Sequence, residues 1–99
     1  MRLTATQAKT IRDMAHDLFG DAVRVILFGS RLDDTAHGGD VDLMLEIPEP
    51  VEHPALMAAR MAARVSRAMR GRKVDVLLSA PNLRRLPIHE IASREGQLL

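Results

Sequence analysis

Residues 23–47 read VRVILFGSRLDDTAHGGDVDLMLEI, and their patterning decides the architecture. Val23-Arg24-Val25-Ile26-Leu27-Phe28 is a β-branched run, apolar at nearly every position, that stops at Gly29. Such a run predicts a central strand. Residues 30–39 include Asp33, Asp34, Gly38 and Gly39, which is loop chemistry with room for a short helical turn. From Asp40 the pattern alternates. Val41, Leu43, Leu45 and Ile47 share one face, and Asp40, Asp42, Met44 and Glu46 share the other. The second strand therefore carries two acids on a single face.

Outward from this core, Thr4-Ala5-Thr6-Gln7 has the form of a capping box. Ala8, Ile11, Ala15, Leu18 and Phe19 then recur at helical spacing before Gly20, which predicts a helix over Ala5 to Phe19. Beyond the second strand, Pro48, Pro50 and Pro54 forbid regular structure. Ala, Met and Arg dominate from Ala55 to Arg70, a second helix ended by Gly71. Its core face is assigned to Leu56, Ala59, Ala63 and Met69, with Arg60, Arg64 and Arg67 on another stripe. Val74-Asp75-Val76-Leu77-Leu78 predicts a third strand, and Pro87 to Glu95 a last helix closed by Gly96. The expected fold is one small α/β (α+β) domain spanning residues 1–99, a short mixed sheet with helices packed against one face. No repeat, low-complexity tract or linker interrupts it.

Composition narrows the function. The 99 residues are 46% hydrophobic and 27% charged, the balance of a globular chain. Lys and Arg total 14 against 13 Asp and Glu, so a protein that coats DNA or RNA is not expected. Aromatics are 2%, without Trp or Tyr, and stacking platforms for single strands are missing. The absence of cysteine excludes disulfides, thiol nucleophiles and zinc–cysteine sites. The first 20 residues hold no signal-like apolar run, and no stretch reaches membrane-spanning length. A cytoplasmic location without a membrane partner is the expectation.

Three acids carry the chemistry. Asp40 and Asp42 lie two residues apart on one strand face, roughly 6.5–7 Å along the backbone at ~3.3 Å per residue. Carboxylates at that spacing can hold a divalent ion or clamp a pair. Asp75 interrupts an otherwise apolar strand, where an acid must be solvated, paired or metal-bound. The second element is Gly29-Ser30-Arg31 at the end of the first strand. Glycine admits a phosphate oxygen to the backbone, Ser30 offers a hydroxyl, and Arg31 adds charge for a phosphate or an acid. No Gly-Lys-Ser/Thr follows, so this is not a Walker loop, and no flanking glycines make Ser30 a nucleophile elbow. Taken singly, each feature is common in solvated turns and strand edges.

Taken together, strand, Gly29-Ser30, loop, Asp40-Val41-Asp42, helix and a strand with Asp75 resemble the DNA polymerase β-like nucleotidyltransferases. The closest likeness is to the minimal nucleotidyltransferases, whose signature is Gly-Ser, a loop and Asp-x-Asp. Nine residues separate Ser30 from Asp40, about one fewer than is usual in that family (10 − 1 = 9). Leu32-Asp33-Asp34 replaces the Ala-Arg-Gly often found after Gly-Ser-x. The resemblance implies that Gly29 and Ser30, with Arg31, hold the phosphates of a nucleoside triphosphate. It also implies that Asp40, Asp42 and Asp75 bind a pair of Mg²⁺ ions, Asp75 helping to deprotonate the acceptor hydroxyl.

Because the chain ends soon after this core, the acceptor site is expected to come from another protein. The resemblance implies an antitoxin of a type VII toxin–antitoxin pair. Such an antitoxin transfers AMP from ATP to a hydroxyl, typically a tyrosine, of a cognate HEPN ribonuclease toxin. The alternative is a non-catalytic antitoxin that inhibits by direct binding, favoured by Leu32-Asp33-Asp34. A small metal-dependent nuclease would also use three acids but gives Gly29-Ser30 no task. His16, His37, His53 and His89 show no metal-ligand spacing and are assigned to the surface. Met57, Met61 and Met69 are assigned to core or interface.

Overall fold

A computed structural model of the chain describes residues 3–29 and 40–99, so Ser30, Arg31, His37 and Leu32-Asp33-Asp34 lie outside the described residues. The central apolar run forms β1 (Arg24–Phe28), and the alternating acidic segment forms β2 (Val41–Glu46). The two pair antiparallel, with Phe28 opposite Asp42 and Ile26 opposite Met44. Because β3 (Val74–Ser79) runs parallel to β2, a crossover must join them. It is α2 (Pro54–Ala68). A two-residue strand, β4 (Gln97–Leu98), adds antiparallel to β1 and completes a four-stranded mixed sheet in the order β3-β2-β1-β4. The sequence reading missed β4, whose two residues are too short for any periodicity to register.

The first helix, α1 (Ala5–Phe19), begins at the expected capping box. Thr4 Oγ1 accepts from the Gln7 amide at 3.0 Å, and the Thr4 amide donates to Gln7 Oε1 at 2.9 Å. With α2 it covers one face of the sheet. There Ile11, Ala15, Met61 and Val65 are buried against Val25, Leu27, Val41, Leu43 and Leu45. The α2 core face differs from the one expected. Leu56, Ala59 and Ala63 are exposed, and the buried row is Met61, Val65 and Met69, with Met57 half-buried. These residues recur every fourth position, one step around the helix from the alanine stripe. Their larger side chains remove more apolar surface from water, which decides the rotation. Met57, Met61 and Met69 thus fill the core. Arg60, Arg67 and Arg70 stay exposed, and Arg64 pairs with Asp17 of α1 at 2.7 Å.

The expected one-sided helix layer holds for α1 and α2, whereas α3 (Pro87–Glu95) lies on the opposite face. Its Ala92 packs with Ile26, Phe28 and Met44, and Leu77 closes the cluster. Met44, on the acidic parity of β2, is therefore fully buried rather than exposed beside Asp42. The turn into β4 needs Gly96. A Cβ there would collide with Ile26 Cγ2 and the Ala92 carbonyl and come within 3.1 Å of the Leu27 carbonyl. Among the described residues, no helix is long and apolar enough to cross a membrane.

Candidate functional site

The sheet register sorts the α3-side face into rows. Ile26, Met44 and Leu77 form the row beneath α3, and Phe28, Asp42 and Asp75 form the next one toward the end of the sheet. Asp42 and Asp75 are thus direct neighbours on parallel strands, although 32 residues lie between them in the chain (75 − 42 − 1). Asp40 lies two residues before Asp42, exposed just ahead of β2. The structure brings Asp42 and Asp75 together and leaves Asp40 at the rim.

Gly29 ends β1 beside them. Its φ of +76° is left-handed, and a Cβ there would strike the Asp42 carboxylate, lying 3.1 Å from Cγ and 3.3 Å from the Asp42 Cβ. Only glycine meets both demands. The carboxylate is consequently packed against backbone on the β1 side and against Asp75 on the β3 side.

This confinement has an electrostatic consequence. Asp42 is half-buried, and that burial, followed by the charges of Asp75 and Asp40, raises its pKa above 3.8, the ordinary value. A hydrogen bond shared with Asp75 acts in the same direction, while Lys73 opposes it. A carboxylate pressed against its own kind is a site that favours a cation. Among the described residues, however, no three His, Asp or Glu side chains gather as a ready-made cation cage. Mg²⁺ does not require one, since it is commonly held by one or two carboxylates and completed by substrate phosphates and water. The hard oxygen donors of Asp42 and Asp75, with Asp40 nearby, fit that ion.

Beside the pair opens a cleft of about 450 Å³. Gly29, Asp42 and Asp75 line one end, and Leu77, Ile88 and Ile91 line the other. Ile88 and Ile91 are 44% and 41% exposed, an apolar wall directly next to two carboxylates. The wall is held in place by His89, which the sequence reading put on the surface and the structure buries at 3% exposure. The Leu86 amide donates to His89 Nδ1 at 2.9 Å, so the proton resides on Nε2, which donates to the Leu78 carbonyl at 2.9 Å. Arg85 adds a second tie, donating to Ser93 Oγ at 3.0 Å and Ser79 Oγ at 3.3 Å and pairing with Glu90.

Sequence reasoning therefore found the acids and the glycine, and missed Ile88, Ile91 and the role of His89. Lys73 was read only as the end of the basic stripe beyond the second helix, despite a further signal. It stands two residues before Asp75, the same parity that linked Asp40 to Asp42.

Comparison with curated proteins returns no match. The family model for a nucleotidyltransferase domain, by contrast, matches residues 8–98, from the first helix through β4. That span takes in the whole sheet and every acid of the cleft, and the chain belongs to the nucleotidyltransferase domain family.

Proposed function

We propose that the cleft catalyses Mg²⁺-dependent transfer of AMP from ATP to a hydroxyl, a tyrosine of a cognate HEPN-type toxin, thereby neutralising it. The observation that carries the transferase chemistry is the Asp42–Asp75 pair at the cleft mouth, with Gly29 closed against Asp42. Asp42 and Asp75 would hold the metal and Asp40 would complete its carboxylate set. When bound, Mg²⁺ supplies positive charge that stabilises the attacking and departing oxygens of an in-line displacement. Asp75, exposed on the edge strand, would accept the proton of the incoming hydroxyl. The acceptor oxygen then bonds to the α-phosphorus as the bond to pyrophosphate breaks. Gly29 leaves its backbone open to phosphate oxygens, a task continued by Ser30 and Arg31 on the motif resemblance.

The exposed wall of Ile88 and Ile91 beside the acids suits a macromolecular acceptor, because apolar side chains of a partner can be covered there as the hydroxyl enters. The test is the intact mass of a HEPN-type protein taken from the genome neighbourhood, after incubation with this chain, ATP and Mg²⁺. A gain in whole AMP units that disappears with Asp42→Asn is expected, and fragmentation then locates the acceptor. A stable complex with no mass gain would overturn the transferase reading in favour of inhibition by binding.

A further inference from the structure

The parallel ladder between β2 and β3 extends one step beyond the acidic row. The Val41 amide donates to the Lys73 carbonyl at 2.9 Å, and Val41 is in register with Val74. Asp40 and Lys73 are the residues immediately before these paired positions, and the Val41–Lys73 hydrogen bond holds the two chains together at this end of the sheet. Lys73 also has the strand parity of Asp75. A cation thus stands two residues before Asp75, just beyond the row that holds Asp42 and Asp75.

Several basic side chains on the fold are engaged with acids: Lys9 with Asp13, Arg24 with Glu46, Arg64 with Asp17 and Arg85 with Glu90. Lys73 is exposed, and among the described residues none of the ion pairs within 4.0 Å includes it. Its charge is nonetheless felt at Asp42. A lysine in that position is a compact, mobile point charge, suited to an anion with several equivalent oxygens.

We propose that Lys73 is a substrate-binding residue that contacts the triphosphate of the nucleoside triphosphate. This rests on the reading of the cleft as a nucleotidyl-transfer site. A triphosphate approaching Asp40, Asp42 and Asp75 is repelled by all three carboxylates. Divalent cations offset that repulsion where the carboxylates hold them, and Lys73 offsets it at the Asp40 end. The same lysine must repel a bare divalent cation entering the acids. Lys73 therefore acts with opposite sign on the two ligands, attracting the nucleotide and opposing the metal alone.

The test exploits that reversal. Mn²⁺ alone, and separately ATP with Mg²⁺, are titrated calorimetrically into the unaltered chain, Lys73→Met and Lys73→Arg, each checked for folding by circular dichroism. For Lys73→Met, loss of a charge-assisted contact weakens ATP by about tenfold, and Mn²⁺ alone binds about twofold more tightly. Lys73→Arg keeps the charge and stays within about threefold of the unaltered chain for ATP. Equal ATP affinity in Lys73→Met overturns the assignment, as does a parallel weakening of both ligands, the mark of a structural role. If the unaltered chain binds Mn²⁺ and ATP, and Asp42→Asn removes Mn²⁺ binding while Lys73→Met changes nothing, only the lysine assignment falls. If the unaltered chain binds neither ligand, the transfer site and the lysine assignment fall together.

Discussion

Replacing Asp42 with asparagine should stabilise the metal-free protein while disabling it. Asp42 and Asp75 are register partners on adjacent strands, whose backbones lie about 4.8 Å apart. Two like charges at about 5 Å repel by about 1 kcal/mol in water and about 3 kcal/mol at an effective dielectric of 20. Asp42 is half-buried and Asp75 exposed, so screening places the net cost near the lower figure, about 1 kcal/mol. For a domain of this size that amounts to a melting-temperature gain of about 4–8 °C. Asparagine keeps the shape and can donate its amide to the Asp75 carboxylate.

The pH dependence has a defined sign. A carboxyl whose pKa is raised by folding holds its proton more tightly in the native state than in the unfolded chain. Its contribution to stability falls as pH rises from 3.8, the ordinary value, through the raised native value, and is constant above it. The advantage of Asp42→Asn is therefore full at neutral pH and vanishes below the ordinary carboxylate range. Asp13 and Glu90, whose pKa values are lowered chiefly by hydrogen bonds from Lys9 and Arg85, contribute in the opposite sense but cancel between the two proteins. The assay is thermal melting by circular dichroism in EDTA at low ionic strength, over a pH series. The gain should shrink in 1 M NaCl, where the screening length is about 3 Å. A variant that melts at or below the wild type at pH 7 would refute repulsion as the force shaping this site.

Other substitutions probe the scaffold around the pair. His89→Ala removes the buried partner of the Leu78 carbonyl and the part-buried partner of the Leu86 amide, and opens a void. It should cost about 2–4 kcal/mol in urea unfolding, and a loss under about 0.5 kcal/mol would contradict the anchoring role. Gly29→Ala imposes a Cβ on a left-handed residue and on the Asp42 carboxylate. It should lower stability by about 1–2 kcal/mol and nucleotide transfer far more, so that normal turnover would show the close packing to be irrelevant. Met61→Ala, fully buried between α2 and the sheet, should cost about 2–4 kcal/mol without changing KM for the nucleotide, as measured by denaturant titration and steady-state kinetics.

The strands that carry the acids were legible because period-two alternation is a local signal. Val41 through Ile47 announces its own faces, and so do the capping box at Thr4 and the helix stop at Gly96. What sequence could not supply is what arrives on each face from elsewhere. Met44 has the parity of Asp42, yet it is buried, because α3 is laid across Ile26, Met44 and Leu77 from the far end of the chain. His89 has no ligand-like spacing, and its burial depends on a carbonyl 11 residues away on another element. In α2, apolar residues occur on several faces, so periodicity alone did not choose between the alanine stripe and the larger Met61–Val65–Met69 row. The adjacency of Asp42 and Asp75 is likewise a product of register, which the parallel crossover sets.

The reach of α3 decides whether the acidic row is a site or a burial problem. The helix packs Ala92 against Ile26, Phe28 and Met44, with Leu77 beside them, and stops short of Asp42 and Asp75, where the cleft opens. Advancing it by one turn, about 5.4 Å, would drive Ile88 and Ile91 over two carboxylates and strip them of water. Two contacts oppose that slide: the His89 bridge to Leu78, and the close seating of Gly96 against Ile26 and Leu27. Neither contact touches a carboxylate of the cleft. Both keep the second face of the sheet only partly covered, so that like charges gathered by the register remain open to the ligands that relieve their repulsion.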